Sequence, residues 1–217
     1  MKKHRQKEGL FVAEGPKVIE ELCKLCDPLE TYEGEDAIKA SFLQHPQGKL
    51  ALFPTSIFEN ITPQSSLKIA LDGVQDPGNL GTIIRIADWF GIDHIYCSPN
   101  SADVFNPKVV QATMGSLARV KVEYTDLNEL FASLPEDFPI YGTLLDGNNI
   151  YEEKLSDEGI IVMGNEGNGI SPEIRQLVNH RLLIPSYPSD RPTAESLNVA
   201  IATAITCGEF RRRMQAN

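Results

Sequence analysis

The chain has 217 residues, 41% of them hydrophobic, enough for a sizeable core and too many for wholesale disorder. Thirty acidic side chains against 20 basic ones give a formal charge of −10, which as a single number argues against a nucleic-acid partner. No apolar run approaches the roughly 18 residues of a membrane span, the start MKKHRQKEGLF lacks the apolar stretch of a secretory signal, and four cysteines are too few for a disulfide scaffold, so a reducing cytoplasm is expected.

Residues 9–26 read as a helix, because Val18, Ile19, Leu22, Cys23, Leu25 and Cys26 recur at helical spacing with Lys17, Glu20, Glu21 and Lys24 between them. Residues 27–48 read as irregular and acidic, Leu50–Phe53 as a short strand, and 57–66, with Pro63 and two serines, as a linker. From Leu67 the pattern turns regular. A strand at Leu67–Leu71 runs into a turn-rich loop around Asp76-Pro77-Gly78. A helix at Asn79–Phe90 follows, with Ile83, Ile84, Ile86, Ala87 and Phe90 inward and Gly91 as its stop. Then come a strand at His94–Cys97, a helix at Pro107–Leu117 and a strand at Val120–Glu123. Asp126 caps a helix to about Ser133. Strands at Ile140–Leu144 and Gly159–Met163 precede a helix opened by Ser171-Pro172-Glu173. The last strand is Leu182–Ile184 and the last helix Ser196–Arg213. Strands alternating with helices mean an α/β layer fold with a mostly parallel sheet. The change of pattern divides the chain into 1–63 and 64–217.

The negative charge is not spread evenly. Residues 123–158 hold one basic and ten acidic groups, net −9, while 1–63, 64–122 and 159–217 come to −2, 0 and +1. Lys2, Lys3, Arg5 and Lys7 at one end and Arg211, Arg212 and Arg213 at the other are locally basic. A polyanion meets local potential, since salt screens beyond about 8–10 Å. The total therefore does not exclude RNA. It predicts that RNA avoids the 123–158 face, and that the basic ends either grip phosphates or are merely solvated.

Cys23 and Cys26 form a CxxC with no second pair of ligands downstream, so buried core cysteines are expected rather than a metal site. His4, His45, His94 and His180 have no metal or triad spacing. Gly164-Asn165-Glu166-Gly167-Asn168-Gly169 is sharper. It follows an apolar strand, precedes a capped helix, and is GxxGxG rather than the GxGxxG of dinucleotide sites. Its glycines let backbone N–H groups approach a ligand, or simply make a tight turn; Glu166 within it would repel a phosphate and favours a ligand without one, or a cationic one. Arg85 interrupts the apolar stretch of its helix and either is paired at a half-buried position or snorkels to the surface.

In combination these segments resemble one family. LDGVQDPGNLGTIIRIADWFG (71–91), IVMGNEGNGISPEI (161–174) and LLIPSYPSDRPTAESLNVAIATAI (182–205) are similar to the three ordered signatures of the SpoU-type (TrmH-like) RNA 2′-O-ribose methyltransferases, and the resemblance covers 65–217. HRQKEGLFVAEGPKVIEEL (4–22) and KLALF (49–53) are similar to parts of that family's ribosomal-protein-like substrate-binding domain. The resemblance implies a SPOUT-type α/β knot, a mostly parallel sheet with a C-terminal trefoil knot, preceded by a small α/β substrate-binding domain. It implies a homodimer, S-adenosylmethionine (SAM) as cofactor, no metal, and structured RNA, tRNA or rRNA, as substrate. By motif, Thr143, Leu145, Gly164, Asn165, Gly169, Ile184 and Leu197 would bind SAM. Arg85 would stabilise the developing alkoxide of a ribose 2′-hydroxyl and hold the neighbouring phosphate, since arginine stays protonated. Asn79, Ser196 and Asn198 would orient Arg85, the ribose or the loops, and Glu166 would organise the site by hydrogen bonding. Two departures stand out. The third signature has a long spacer, SYPSDRPTAE, whose Arg191 could touch RNA, and 27–48 lacks the strand–helix alternation expected of the N-terminal domain. A non-catalytic RNA-binding or assembly factor keeping the fold is the alternative; a nucleotide-binding oxidoreductase is disfavoured by the glycine spacing.

Overall fold

The structure is a computed structural model and describes residues 2–188 and 194–214. Six strands, β4 (Leu67–Asp72), β5 (His94–Cys97), β6 (Lys121–Tyr124), β7 (Ile140–Asn149), β8 (Gly159–Gly164) and β9 (His180–Leu183), build the larger sheet. Every pairing in it is parallel, in the order β6-β5-β4-β8-β7-β9. The central pair reads as near-continuous apolar runs, LKIALD and GIIVMG, because helices cover both faces. The parallel α/β sheet expected from the alternation is the one found.

Strand order reverses around β4. The chain leaves β4 toward β5 on one side, whereas β8 lies on the other, so a crevice opens at the carboxyl ends of the two strands. Their register sets Asp72 beside Gly164, so the loops of the first two signatures start side by side. Beyond them β7 is bulged against β9 between Thr143 and Asn148. A Cβ on Gly147 would stand 2.6 Å from the Leu182 carbonyl carbon, so only glycine lets the strands close again past the bulge.

The helices around this sheet are α4 (Pro77–Trp89), α5 (Pro107–Ala112), α6 (Leu127–Ala132), α7 (Pro172–Leu177) and α8 (Val199–Met214). Asp76 caps α4 by accepting the Asn79 N–H at 2.8 Å, with Pro77 in the first turn, and Asp126 caps α6 in the same manner. Leu80, Ile83, Ile84 and Ala87 carry the buried face of α4, while Ile86 and Phe90 are only half-buried and Arg85 is exposed. Several expected boundaries move, β7 running on to Asn149 among them, and two of the shifts have a clear local cause. Helix α5 ends at Ala112, because Met114 (φ 52) and Gly115 (φ 93) turn left-handed, and a Cβ on Gly115 would strike Glu21 Cγ at 2.6 Å. The last helix starts at Val199 rather than Ser196, with Asn198 as its cap: its Oδ1 accepts the N–H groups of Ala200 (2.9 Å) and Ile201 (3.3 Å). Ser171 precedes α7, but its side chain makes no capping bond; its own N–H donates to Asp72 at 2.7 Å.

The first 60 residues correct the expectation most. Residues 9–26 are not one helix but β1 (Leu10–Glu14) and α2 (Pro16–Leu22), preceded by α1 (Lys2–Glu8). Gly15 at φ +89 separates them, and LFVAE pairs with β3 (Lys49–Pro54), which buries Phe11 and Ala13 by strand alternation. Residues 27–48 contain β2 (Glu30–Glu33) and α3 (Gly34–Ala40), so the alternation is present after all. It was unreadable because β2 is an exposed edge strand, ETYE, and α3 buries only Ala37. The expected linker, 57–66, is ordered over its first residues, where the 3₁₀ turn Thr55–Asn60 buries Ile57 and Phe58. Cys23 is exposed and Cys26 half-buried, contrary to the expected buried pair, because α2 ends at Leu22.

The three antiparallel strands β1-β3-β2 are not a loosely tethered unit. Phe11, Phe53, Ile57 and Phe58 belong to the same apolar cluster as Leu67, Ile83 and Phe210. Phe105 lies between them, 4.7 Å from Phe11 and 5.3 Å from Phe58 by ring centroids. Arg5 pairs with Asp103 at 2.5 Å across the same junction.

Candidate functional site

Three loops meet at the carboxyl edge of the sheet: 72–79 after β4, 164–171 after β8, and the segment from β9 to α8. The first two are laced together. Asn165 Nδ2 donates to the Gly73 carbonyl at 2.7 Å, and Asp72 receives the Ser171 N–H, so both ends of the glycine loop are tied to the end of β4. Asn165 Oδ1 accepts the N–H groups of Gly167 and Asn168, each at 3.0 Å, and its backbone bridges Gly169 in both directions at 2.9 Å. The loop is so tight that a Cβ on Gly164 would lie 2.2 Å from Gly169 and Ile170 backbone atoms, whereas one on Gly169 (φ +70) would meet open space.

Glu166 joins the loops. Its carboxylate accepts from Gln75 N–H (3.2 Å), Asp76 N–H (3.1 Å), Asn79 Nδ2 (3.0 Å) and Asn165 Nδ2 (3.4 Å). Partial burial pushes its pKa up, but the bonds from Asn79 and the backbone outweigh that and hold it below the ordinary carboxylate range. Asn198, at the head of α8, donates through Nδ2 to Asn79 Oδ1 at 3.0 Å. That bond orients the Asn79 amide so that its NH₂ faces Glu166. One polar chain, Asn198–Asn79–Glu166, thus spans residues from all three signatures.

Beside it lies a cavity of about 360 Å³, within the size range of small-molecule sites. All seven residues expected to bind the cofactor, Thr143, Leu145, Gly164, Asn165, Gly169, Ile184 and Leu197, line it. Glu166 and Ser196 line it too. Asn79 and Asn198 reach it only through Glu166, and Arg85 does not line it. Arg85 is exposed and makes no hydrogen bond or ion pair among the described residues, so neither the half-buried pair nor its cost arises. It stands six residues beyond Asn79, about 9 Å along the helix axis.

Several site residues were not anticipated. Asp72 and Gly73 anchor the glycine loop; the signal for Asp72 was a carboxylate closing an otherwise apolar strand. Arg175 on α7 lines the cavity and is ion-paired to Asp146, which also holds Arg181. No local pattern marks it. The basic ends are largely engaged within the fold: Arg5 by Asp103, Arg211 by the Phe90 and Gly91 carbonyls at 2.6 and 2.9 Å, and Arg212 and Arg213 by Glu209. Arg191 lies outside the described residues. Among those described, no three His, Cys, Asp or Glu side chains gather as metal ligands, and no helix is long and apolar enough to cross a membrane.

Fold and site define an α/β protein with a small-molecule pocket at the carboxyl edge of a parallel sheet, built from a glycine loop and the approach to a C-terminal helix. Residues 66–208 match the SpoU rRNA Methylase family, and the chain belongs to that family. It is 33% identical to the 23S rRNA (guanosine(2553)-2'-O)-methyltransferase RlmP of Bacillus subtilis (strain 168), across 97% of this chain and 92% of that one. A TrmH-family protein of Porphyromonas gingivalis superimposes with a TM-score of 0.85 at 39% identity, covering 98% of this chain and 94% of its own. An AdoMet-bound rRNA methyltransferase of Sinorhizobium meliloti does so with a TM-score of 0.85 at 29% identity, covering 99% and 91%.

Proposed function

We propose that the chain is a SAM-dependent methyltransferase acting on ribose 2′-hydroxyls of ribosomal or transfer RNA. The single observation carrying this is that the second and third signatures line one cavity and the first is wired to it through the Asn198–Asn79–Glu166 chain. The residues present suit SAM. Leu145, Ile184 and Leu197 offer apolar walls for an adenine, and Gly164 and Gly169 keep side chains out of the loop that would cradle it. Glu166 spends its lone pairs on the loops, and its charge at the cavity wall would repel a phosphate.

When bound, SAM supplies an electrophilic methyl group. The ribose oxygen would take that methyl as its bond to sulfur breaks, and the hydroxyl proton would pass to solvent. A ribose hydroxyl is a poor nucleophile, so the unpaired Arg85 guanidinium would stabilise charge growing on its oxygen. Because Arg85 lies off the cavity, we propose a homodimer in which a second copy covers the exposed apolar face of α4 and α8, where Trp89 is 85% and Ile201 52% exposed. The trefoil knot, residues 1–63 as an RNA-binding domain, and a cytoplasmic site of action are parts of the same proposal.

The test is transfer of labelled methyl from SAM to undermethylated ribosomal RNA, with the product mapped as 2′-O-methyl. Arg85→Ala should lower transfer at least about 100-fold while leaving SAM affinity within about twofold. Full activity in that variant would remove Arg85 from the chemistry. SAM failing to bind the wild type in calorimetry would favour the assembly-factor alternative.

A further inference from the structure

Most basic side chains here are tied to the chain's own acids or carbonyls. Besides the engaged ends, Arg119 bridges Asp88 and Glu21, and Lys24, Lys39 and Lys49 pair with Glu21, Glu35 and Glu33. Lys17, Arg85 and Lys108 are different: like Lys3 in α1 and Lys154 between β7 and β8, which lie elsewhere in the chain, all three are exposed and have no hydrogen bond or ion pair among the described residues.

The fold gathers these three cations around one turn, Thr113–Gly115. On α5, Lys108 shares a helix face with Gln111 and Ala112, three and four residues on. A Cβ on Gly81 of α4 would meet the Ala112 Cβ at 2.5 Å, and one on Gly15, just before α2, would come within 3.9 Å of Gln111 Oε1. That face of α5 therefore lies between α4 and the start of α2. On α4, Arg85 stands four residues after Gly81 and three before Asp88, on the stripe that touches α5 at one end and Arg119 at the other. On α2, Lys17 stands four residues before Glu21, the other carboxylate that Arg119 holds. A Cβ on Gly115 would lie 2.6 Å from Glu21 Cγ and 3.7 Å from the Lys17 carbonyl oxygen. Lys17 and Arg85 thus flank the same turn, each one helical step from a carboxylate neutralised by the same guanidinium. Lys108 lies on the helix between them. Of the nearby acids, Asp103 is paired with Arg5, Asp76 caps α4, and Glu20 on α2 has no partner among the described residues.

We propose that Lys17, Lys108 and Arg85 form a phosphate track that leads an RNA strand across α5 to α4, and that this track, rather than the basic ends, supplies the electrostatic grip. It rests on the RNA methyltransferase function proposed above. The probe is a fluorescein-labelled hairpin transcribed from 23S rRNA, titrated with the full chain at several KCl concentrations. Each phosphate contact adds about 0.7 (single strand) to 0.9 (duplex) to the slope of log affinity against log salt. Lys17→Gln with Lys108→Gln should lower the slope by about 1.4–1.8, which at about 0.1 M KCl is roughly a 25- to 60-fold loss of affinity. The control pair is Lys68→Gln with Lys154→Gln, at the amino end of β4 and between β7 and β8, both away from the track. It should leave the slope unchanged. An unchanged slope in the first pair, or an equal fall in both pairs, overturns the track. Methyl transfer by the wild type is measured alongside. Transfer together with an unchanged slope removes the track alone, whereas absence of transfer overturns the proposed function and the track with it.

Discussion

Glu166→Gln changes a single atom and tests whether the carboxylate holds the loops together. Each of its oxygens receives two donors: Asp76 N–H and Asn79 Nδ2 on one, Gln75 N–H and Asn165 Nδ2 on the other. An amide turned either way keeps one acceptor oxygen and sets an NH₂ against the other two donors. Two bonds to a charged acceptor are lost, each worth about 1.5–3 kcal/mol when hidden from water. Glu166 is exposed, so water replaces part of this, and we expect a net loss of about 1–3 kcal/mol in urea unfolding. Asn79, held by a neutral oxygen in one amide orientation and by none in the other, should also loosen, lowering methyl transfer more than it raises the KM for SAM. The pH dependence has a definite sign. The folded pKa of Glu166 lies below its ordinary value of 4.5, so its contribution is complete above that value and is lost as pH falls through the lowered one. The gap between wild type and variant should therefore be widest near neutrality and shrink below about pH 4. Equal stability at pH 7 and unchanged transfer would refute the role given to this carboxylate.

Three further outcomes are expected. Gly164→Ala places a Cβ 2.2 Å from Gly169 and Ile170 backbone, which cannot yield cheaply, so SAM affinity by calorimetry should fall at least about tenfold even where the chain still folds; an unchanged affinity would mean that the loop is not the cradle. Trp89→Glu puts a charge on the exposed face of α4 and should convert a dimer to a monomer in light scattering, an outcome that a monomeric wild type would make meaningless and so reject with the homodimer itself. Iodoacetamide at about pH 8 should alkylate exposed Cys23 well before Cys97 or Cys207, whose thiols burial pushes up to about 12; equal labelling of the native chain would contradict the core described for them.

What could be read before folding, and what could not, follows the range of the physics involved. From Leu67 onward the signals are local. Asp76 and Asp126 cap their helices by bonding backbone two or three residues away, and Pro77, Pro107 and Pro172 open helices with a fixed φ. The strand LKIALD is apolar throughout because both of its faces are covered. Such information sits within a few residues, and element types there match the structure with small shifts at the ends. In 9–48 the deciding contacts are distant. LFVAE becomes a strand because Lys49–Pro54 pairs with it, and ETYE is a strand whose side chains all face water, so no alternation of apolar and polar residues records it.

The acidic total with which the chain presents itself is likewise resolved only in three dimensions. By itself the sequence determined that the acids concentrate in 123–158, that the fold is a parallel α/β sheet, and that three separate segments carry the site. Tertiary structure alone decided which charges are free. Arg211, Arg212 and Arg213 look like a basic tail, yet they hold α8 to the Phe90 and Gly91 carbonyls and to its own Glu209. Arg85, embedded among isoleucines, stands at the surface with no partner among the described residues. A charge acts on a partner only after its nearest neighbours in space are counted, and those neighbours, Asp103 for Arg5 and Asp146 for Arg175, lie up to 98 residues away along the chain.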